Sequence, residues 1–321
     1  MRYLRSALIV FLLVSWASGC RAPKGELREI TLPMGYVANV QFSPFYMGKE
    51  KGYFAEAGID LTFDYRWETD GIQLTAAGEI PFTVASGDQV IQARSQGLPV
   101  VAVASWYQKF PVAIVALEST PLSSPEDLRG LRIGIPETFG ASYIGLRALL
   151  KAGGLTEEDI ELVTIGYTQA AALTAESVDA VVVYANNEPM VLRERGVAIN
   201  TLYVSDYASL VSAAIVTSDA TMQNEPELVQ AFVDAFLKGL AEVIADPDDA
   251  FELSRSYIEG LDANAREQRA VLEASVELWQ TATPGRFDAE AWAYAQSVML
   301  EAGLIEQGVP IEQLYTNAFV E

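Results

Sequence analysis

The side chains in this sequence that could do chemistry are aromatic rings, amides and carboxyl groups. The 321 residues contain no histidine and a single cysteine, Cys20. Catalysis by Ser-His-Asp or Cys-His groups is therefore excluded, and so are ordinary zinc sites and intramolecular disulfides. A hydrolase that uses carboxylates alone stays open, but no paired-carboxylate motif supports one. We therefore expect a protein that is not an enzyme, with no catalytic residue, no metal and no cofactor.

The candidate functional residues share one property, which is that each lies close to the end of a predicted strand. A flat heterocycle needs such a set, because aromatic faces stack on its rings while amides, carboxylates and hydroxyls pair with its polar edge. The predicted ligand-binding residues are Tyr36, Asn39, Gln41, Phe45, Trp67, Asp70, Ser86, Asp88, Trp106, Tyr107, Gln108, Thr138, Phe139, Asn186, Asn187, Glu188 and Tyr207. Replacing Trp67 or Trp106 with alanine is expected to weaken binding by about 1–3 kcal/mol with folding intact.

Some of these candidates also have a purely structural explanation. Trp67 and Trp106 follow strands directly and could cap the edge of the sheet. Ser86 and Asp88 could cap a helix. One of the two adjacent asparagines before Glu188 could serve only the turn in which it lies.

The elements that must position these side chains begin with a βαβ unit. A strand at Ile30 to Pro33 is followed by a loop, a short helix that Gly52 ends, and a second strand at Ile59 to Phe63. The loop therefore lies at the carboxyl edge of the sheet, where open α/β sheets bind ligands. One of the adjacent aromatics Phe45 and Tyr46 must face the core.

The rest of the chain alternates strands and helices before it becomes helical. Arg66 to Gly71 is predicted as a loop, followed by a helix at 72–77. Further strands are predicted at 82–85, 98–104, 112–117, 132–135, 160–165, 180–184, 201–204 and 211–217. From Glu225 onward the pattern is helical, and Trp279, Trp292 and Tyr294, at helical spacing, are expected in the core.

Three segments resemble a known family. The opening of the chain holds three aromatics, then Glu50-Lys51-Gly52-Tyr53-Phe54 and Gly58-Ile59-Asp60-Leu61. This resembles the start of the substrate-binding proteins of ABC importers, in the family that binds sulfonates, nitrate and thiamine-pyrimidine precursors. Residues 106–117, WYQKFPVAIVAL, are similar to the first crossing between lobes in that family, and residues 125–130 match its P-x-D-L-x-G turn. The resemblance covers about residues 30–218.

The resemblance implies a two-lobed α/β periplasmic-binding-protein fold of type II, in which two crossovers form a hinge. Lobe 1 would contain residues 30–111 and 208–321, with the helical C-terminal segment packed on it. Lobe 2 would contain residues 112–207. Ligand would be captured between open lobes and buried as they close.

The same resemblance suggests the ligand. Segment 106–111 looks like the riboflavin-binding branch of the family, which implies that riboflavin is bound and delivered to an ABC permease driven by a separate ATPase. A small oxyanion is disfavoured, because Arg66 and Lys109 are the only nearby cations. A thiamine pyrimidine precursor stays open, since its amine would suit Asp70, Asp88 or Glu188. The family's pyrimidine-forming enzyme uses histidine and a cysteine-rich segment, so its activity is not carried over. A tethered ligand-sensing lobe of a signalling system also stays open.

Charge and the amino terminus indicate where the protein works. Lys plus Arg number 21 against 43 Asp plus Glu, and the net charge of −22 makes nucleic acid an improbable partner. Residues 1–19 have a basic start and an apolar run, as in a signal peptide. Cys20 follows Ala17-Ser18-Gly19 and is the expected lipidation site, although plain export with an incidental cysteine is an alternative. We expect residues 20–29 to form a lipidated tether, which holds a monomer on the extracytoplasmic face of the cell membrane by lipid alone.

Overall fold

Residues 26–320 are described by a computed structural model. The strands are β1 (Arg28–Gly35), β2 (Ile59–Trp67), β3 (Phe82–Ser86), β4 (Val100–Ser105), β5 (Val112–Leu117), β6 (Arg132–Ile135), β7 (Glu161–Thr164), β8 (Ala180–Tyr184), β9 (Ile199–Tyr203) and β10 (Ala213–Ser218). The α-helices are α1 (Ser43–Glu50), α2 (Tyr53–Glu56), α3 (Glu68–Ala76), α4 (Gly87–Ser95), α5 (Gly140–Ala152), α6 (Gln169–Thr174), α7 (Glu188–Glu194), α8 (Asp219–Asn224), α9 (Pro226–Ala245), α10 (Pro247–Ser254), α11 (Ala265–Trp279) and α12 (Ala289–Glu301).

Part of the amino-terminal prediction lies outside the described residues. This applies to the signal peptide at 1–19, to Cys20 and to the first half of the tether. β1 begins at Arg28, inside the range expected for the tether. Within residues 26–320, no helix has both the length and the apolar character needed to cross a bilayer.

The predicted βαβ unit is present, and its apolar pattern explains why. Ile30 and Leu32 of β1 alternate with exposed residues and are buried, and β2 buries Ile59 and Leu61 in the same way. The two strands pair in parallel, with Ile30 opposite Leu61. Gly52 has a φ of 81° and ends the helical segment that began at α1, as predicted.

The strands form three sheets. β1 and β2 form a two-stranded parallel sheet, and β10 lies between β3 and β4 in an antiparallel three-stranded sheet. The third sheet has five strands in the order β7-β6-β8-β5-β9. In it β6 is parallel to β7 and β8, whereas β5 is antiparallel to β8 and β9. The predicted mixed α/β class is confirmed.

The chain passes between the three-stranded and the five-stranded sheet twice. Residues 106–111 lead from β4 to β5, and residues 204–212 return from β9 to β10. Both connections lie where the predicted crossovers were placed. The assignment of residues to two moving lobes stays a prediction.

The C-terminal helices bury their apolar faces in two places. α9, α10 and α11 share a core with β1 and β2, in which Phe236 and Trp279 are fully buried. α12 instead packs on α4 and α5, and its Trp292 is also fully buried. Trp279 and Trp292 are core residues, as predicted. α12 contacts α5, which follows β6 of the five-stranded sheet, as well as α4, which follows β3 of the three-stranded sheet.

The segment at 66–71 differs from the loop that the sequence predicts. β2 continues to Trp67, and α3 begins directly at Glu68. α3 lies close to β3 because Gly71 has no side chain, and a Cβ there would collide with the Thr83 hydroxyl. This close packing fixes the first turn of α3 next to the end of β3.

Candidate functional site

A cleft opens between the loops of the five-stranded sheet and the ends of the other strands. Its empty space is about 910 Å³, counting the part that is open to solvent. Most of its lining follows the carboxyl ends of β1, β2, β4, β6, β7 and β8, which is where α/β sheets bind ligands. The cleft is lined by Met34, Gly35, Tyr36, Gln41, Phe42, Trp67, Glu68, Val84, Trp106, Tyr107, Pro136, Glu137, Phe139, Gly140, Ala141, Ser142, Tyr167, Gln169, Tyr184, Asn187, Glu188 and Ala213.

Aromatic rings from both sides of the cleft meet at its mouth. Trp67 at the end of β2 is 47% exposed, and its ring stacks on that of Tyr167 with centroids 5.8 Å apart and planes inclined by 22°. Phe139 meets Trp67 edge-on at 6.3 Å, and Tyr36 meets Tyr167 edge-on at 5.0 Å. Phe139 and Tyr167 are each 43% exposed. Because Trp67, Phe139 and Tyr167 are each more than 40% exposed, a planar ligand that enters the cleft can contact their rings.

The floor of the cleft is also aromatic, but its rings belong largely to the core. Trp106 is only 2% exposed. Its ring lies 5.6 Å from Phe42, 5.4 Å from Phe45 and 5.9 Å from Trp279. Its indole N–H is buried without a hydrogen-bond partner among the described residues. Trp106 therefore supports the floor more than it offers a free stacking face.

Three carboxyl groups line the cleft, and no Lys or Arg of the described chain does. Glu68 Oε2 accepts hydrogen bonds from Ser86 N at 3.0 Å and Ser86 Oγ at 2.6 Å. Glu137 Oε1 accepts from the Tyr167 hydroxyl at 3.2 Å. Glu188 Oε2 accepts from the backbone N–H of Tyr184 at 3.1 Å. The three groups are held by neutral donors.

Burial makes these carboxyl groups hard to ionise. Desolvation raises the pKa of Glu68 to about 7, and the nearby Asp88 adds to the rise while hydrogen bonds from Ser86 oppose it. Desolvation likewise raises the pKa of Glu188 to about 7, against hydrogen bonds from backbone N–H groups. Burial also raises the pKa of Glu137. Near neutral pH the carboxyl groups of Glu68 and Glu188 are therefore partly protonated, so each can donate as well as accept a hydrogen bond.

We expect Glu68→Gln to stabilise the unliganded protein at about pH 8, by about 1–2 kcal/mol because the open cleft screens part of the effect. The pKa of Glu68 is raised on folding from 4.5 to about 7. Its contribution to stability is therefore full below about pH 4.5 and is lost as the pH rises towards 7. Urea unfolding at about pH 5 and pH 8 measures the difference. Glu79→Gln, at an exposed carboxyl just after α3, is the matched control, and an equal gain at both pH values would contradict the prediction.

A buried polar network connects the two sides of the cleft. Asn186 Nδ2 donates to Gln41 Oε1 at 2.9 Å and to Ser275 Oγ at 2.7 Å. The Tyr107 hydroxyl donates to the same Gln41 oxygen at 3.0 Å. Gln41 and Tyr107 line the cleft, whereas Asn186 lies behind them. The network fixes the position of the Gln41 side-chain amide, which lies on the first loop and lines the cleft.

The structure brings eight of the predicted binding residues to the cleft. These are Tyr36, Gln41, Trp67, Trp106, Tyr107, Phe139, Asn187 and Glu188. Their contact with a ligand stays a prediction. The other nine lie elsewhere: Asn39, Phe45, Asp70, Ser86, Asp88, Gln108, Thr138, Asn186 and Tyr207.

Packing explains why several candidates miss the cleft. Phe45 is fully buried on α1, where it packs on Trp106 and Phe236. Asn39 caps the short helix at 40–42, and its side chain accepts from the Gln41 N–H. Asp70 is exposed on α3, because that helix begins at Glu68 and turns its third residue outward.

The remaining candidates outside the cleft lie beside the start of α4, after β4 or on the surface. Ser86 donates to Glu68 behind the cleft, and Asp88 accepts from the Gln89 side chain at 3.0 Å. Gln108 is half-buried just beyond the cleft, and its N–H donates to the Leu278 carbonyl at 3.0 Å. Thr138 and Tyr207 are exposed.

Some of the cleft residues were missed in the sequence. They are Met34, Gly35, Phe42, Glu68, Val84, Pro136, Glu137, Gly140, Ala141, Ser142, Tyr167, Gln169, Tyr184 and Ala213. Tyr167 and Gln169 follow the carboxyl end of β7, so the rule that selected the other loops also points to them. Glu68 could be found only by knowing where α3 begins.

Comparison with known proteins places the chain in a family. A family model described as NMT1/THI5 like matches residues 39–250. The riboflavin-binding protein RibY of Chloroflexus aurantiacus is 41% identical over 310 residues, which cover 93% of this chain and 88% of RibY. The formylaminopyrimidine-binding protein of Halalkalibacterium halodurans is 28% identical over 97% of this chain and 96% of its own length.

Solved structures agree on the fold. The periplasmic aliphatic sulphonate binding protein SsuA from Escherichia coli superposes with a TM-score of 0.72 at 15% identity, over 90% of this chain and 91% of that chain. The predicted periplasmic-binding-protein fold is confirmed. The chain therefore belongs to the NMT1/THI5-like family.

Proposed function

We propose that this protein binds riboflavin in the cleft and delivers it to the permease of an ABC importer. The observation that carries the proposal is the aromatic mouth of the cleft, where Trp67, Phe139 and Tyr167 are each more than 40% exposed and no described Lys or Arg lines the site. A flat, uncharged ring system fits such a site best. The relative that is 41% identical is named as a riboflavin-binding protein, which supports the same ligand.

The polar groups of the cleft suit the rest of such a ligand. Riboflavin carries ring carbonyls, a ring N–H and a chain of hydroxyl groups. The Gln41 and Asn187 amides can pair with ring carbonyls, and the carboxyl groups of Glu68 and Glu188 can accept from the N–H and the hydroxyls. The activity is binding without chemical change of the ligand, so no cofactor takes part.

Two chain crossings suit this role. Residues 106–111 and 204–212 join the part with the five-stranded sheet to the rest of the chain. Rotation about these two connections would close the cleft over the ligand. The closed form is the one that the permease and its separate ATPase would receive.

A titration of flavin fluorescence tests the proposed ligand. Saturable quenching of riboflavin fluorescence by the purified protein, which a thiamine pyrimidine precursor does not reverse, is the expected result. A folded protein that leaves riboflavin fluorescence unchanged would refute the flavin assignment.

A pyrimidine precursor is the second candidate ligand. The observation in its favour is that three carboxyl groups, those of Glu68, Glu137 and Glu188, face a single cleft, since carboxylates pair well with the amino group of a pyrimidine. The relative that is 28% identical is named for a formylaminopyrimidine. A rise in melting temperature with the pyrimidine, but not with riboflavin, would identify this ligand.

The location and partners belong to the proposal as well. The protein would be a monomer, held at Cys20 by lipid on the extracytoplasmic face of the cell membrane. Incorporation of labelled palmitate that Cys20→Ala abolishes would establish the anchor. Loss of riboflavin uptake when the chain is deleted would separate an importer component from a tethered ligand-sensing lobe.

A further inference from the structure

We propose that Glu68, Glu137 and Glu188 make the cleft select the dephosphorylated form of its ligand and reject the phosphate ester. The inference rests on the proposed function for the identity of the ring system. The exclusion of phosphate rests on the charged groups of the cleft. It therefore does not depend on which heterocycle the protein binds.

The positions of the three carboxyl groups share a feature. Glu68 and Glu188 are the first residues of α3 and α7, and Glu137 lies three residues before α5 begins. A helix amino terminus is where a protein ordinarily binds a phosphate, because its free N–H groups and its dipole favour an anion. Here each of the three helices brings its own carboxyl group to the cleft.

α5 is the critical case, since its amino terminus is the part of the cleft best suited to an anion. Gly140, Ala141 and Ser142 line the cleft and begin the helix, and its first turn contains no acidic residue. Glu137 also lines the cleft, directly before this turn. A phosphate placed at α5 would therefore meet the Glu137 carboxyl group.

Among the described residues that line the cleft, no Lys or Arg offsets the three carboxyl groups. Arg66, next to Trp67, is paired with Asp64, whose Oδ2 lies 2.6 Å from Arg66 Nε. The groups that donate to the three glutamates are all neutral: the Ser86 hydroxyl, the Tyr167 hydroxyl, the Asn187 side-chain amide, and the backbone N–H groups of Ser86 and Tyr184. Above about pH 7 the carboxyl groups of Glu68 and Glu188 are more than half ionised, because the pKa of each is about 7. A phosphate monoester, which carries a charge of about −1.5 to −2 at pH 7, would then face acceptors of its own sign.

Two of the three carboxyl groups, those of Glu68 and Glu137, have an oxygen that remains free for the ligand. Within residues 26–320 no hydrogen bond reaches Glu68 Oε1 or Glu137 Oε2. An ionised oxygen of this kind binds a hydroxyl, an amine or a ring N–H, which are the groups that a dephosphorylated ligand presents. The same side chains therefore favour the free alcohol and oppose its ester.

The test compares riboflavin with riboflavin 5′-phosphate, by fluorescence quenching at about pH 8 and constant ionic strength, with the full chain. We expect the ester to bind at least about 100-fold more weakly than riboflavin. Glu137→Gln should shrink this ratio about tenfold, mainly because the ester binds more tightly, and Glu68→Gln and Glu188→Gln should shrink it in the same direction. Glu79→Gln, at an exposed carboxyl outside the cleft, should leave the ratio unchanged.

The ratio separates selection from a structural role, since a variant with a disturbed cleft would bind both forms more weakly. A wild-type ester affinity within threefold of riboflavin, or a ratio unchanged in all three glutamine variants, would overturn the inference. If folded protein does not bind riboflavin, the proposed function fails and the ratio is measured with 4-amino-5-hydroxymethyl-2-methylpyrimidine and its phosphate. A 100-fold preference for the free pyrimidine would then support the selection against phosphate, although the riboflavin proposal has failed. Without such a preference, the selection against phosphate would be overturned as well.

Discussion

Trp106→Ala is expected to lower the free energy of unfolding by about 3–5 kcal/mol. The indole is 2% exposed, and its ring packs on Phe42, Phe45, Tyr107 and Trp279. Truncation would leave a cavity that these large rings cannot fill, because each is held by contacts of its own. Urea denaturation of the unliganded protein measures the loss.

Trp106→Phe is the matched control. The indole N–H has no partner among the described residues, so phenylalanine would remove no hydrogen bond and would keep most of the ring contacts. We expect this variant to lose clearly less stability than the alanine variant. A loss below about 1 kcal/mol in Trp106→Ala would show that the floor of the cleft can collapse around the missing ring.

This expectation replaces the one drawn from the sequence, in which Trp106→Ala weakens binding and folding stays intact. The position of Trp106 after β4 is visible in the sequence, and the structure does place it at the cleft. Its burial is not visible, since it depends on Trp279, which is more than 150 residues away in the chain. A side chain that packs on distant segments of the chain affects folding when it is removed, and one without such contacts can affect binding alone. These contacts are not visible in the sequence.

Strands and helix ends were predictable from the sequence where the alternation of apolar residues or a glycine defines them locally. The alternation of apolar residues in β1 and β2 and the left-handed Gly52 define the first βαβ unit without any long-range contact. The boundary at Glu68 was not predictable in this way. Gly71 lets α3 lie against Thr83 of β3, and that contact exists only in the folded chain. The sequence pattern led to Asp70 as a candidate in this segment, whereas the structure places Glu68 at the cleft.

The first loop shows the same limit on a smaller scale. Phe42 and Phe45 lie three residues apart, and either could face a ligand on the basis of the sequence. Phe42 lines the cleft, whereas Phe45 packs on Phe236 of α9. The choice is made by how α1 docks on α9, where Gly48 and Gly239 allow a close approach of the two helices. Sequence pattern selects the loop that forms the site, and tertiary packing selects the side chains.

Trp67→Ala is expected to weaken riboflavin binding by about 1–3 kcal/mol, or about 5- to 150-fold, while stability changes little. Trp67 is 47% exposed and contacts mainly Tyr167 and Phe139, which are themselves exposed at the cleft mouth. Its removal should cost the core little, but it takes away the most exposed aromatic ring among the residues that line the cleft. Quenching titrations, with unfolding measured in parallel, separate the two effects.

Tyr207→Ala supplies the control, because Tyr207 is 41% exposed and lies outside the cleft. Its affinity for riboflavin should equal that of the wild type, although the sequence placed Tyr207 among the binding residues. Wild-type affinity in Trp67→Ala would mean that the ring of the ligand does not stack at the mouth. The flavin would then have to lie deeper, against Phe42 and Trp106, where the core already covers most of both rings and leaves little area for stacking.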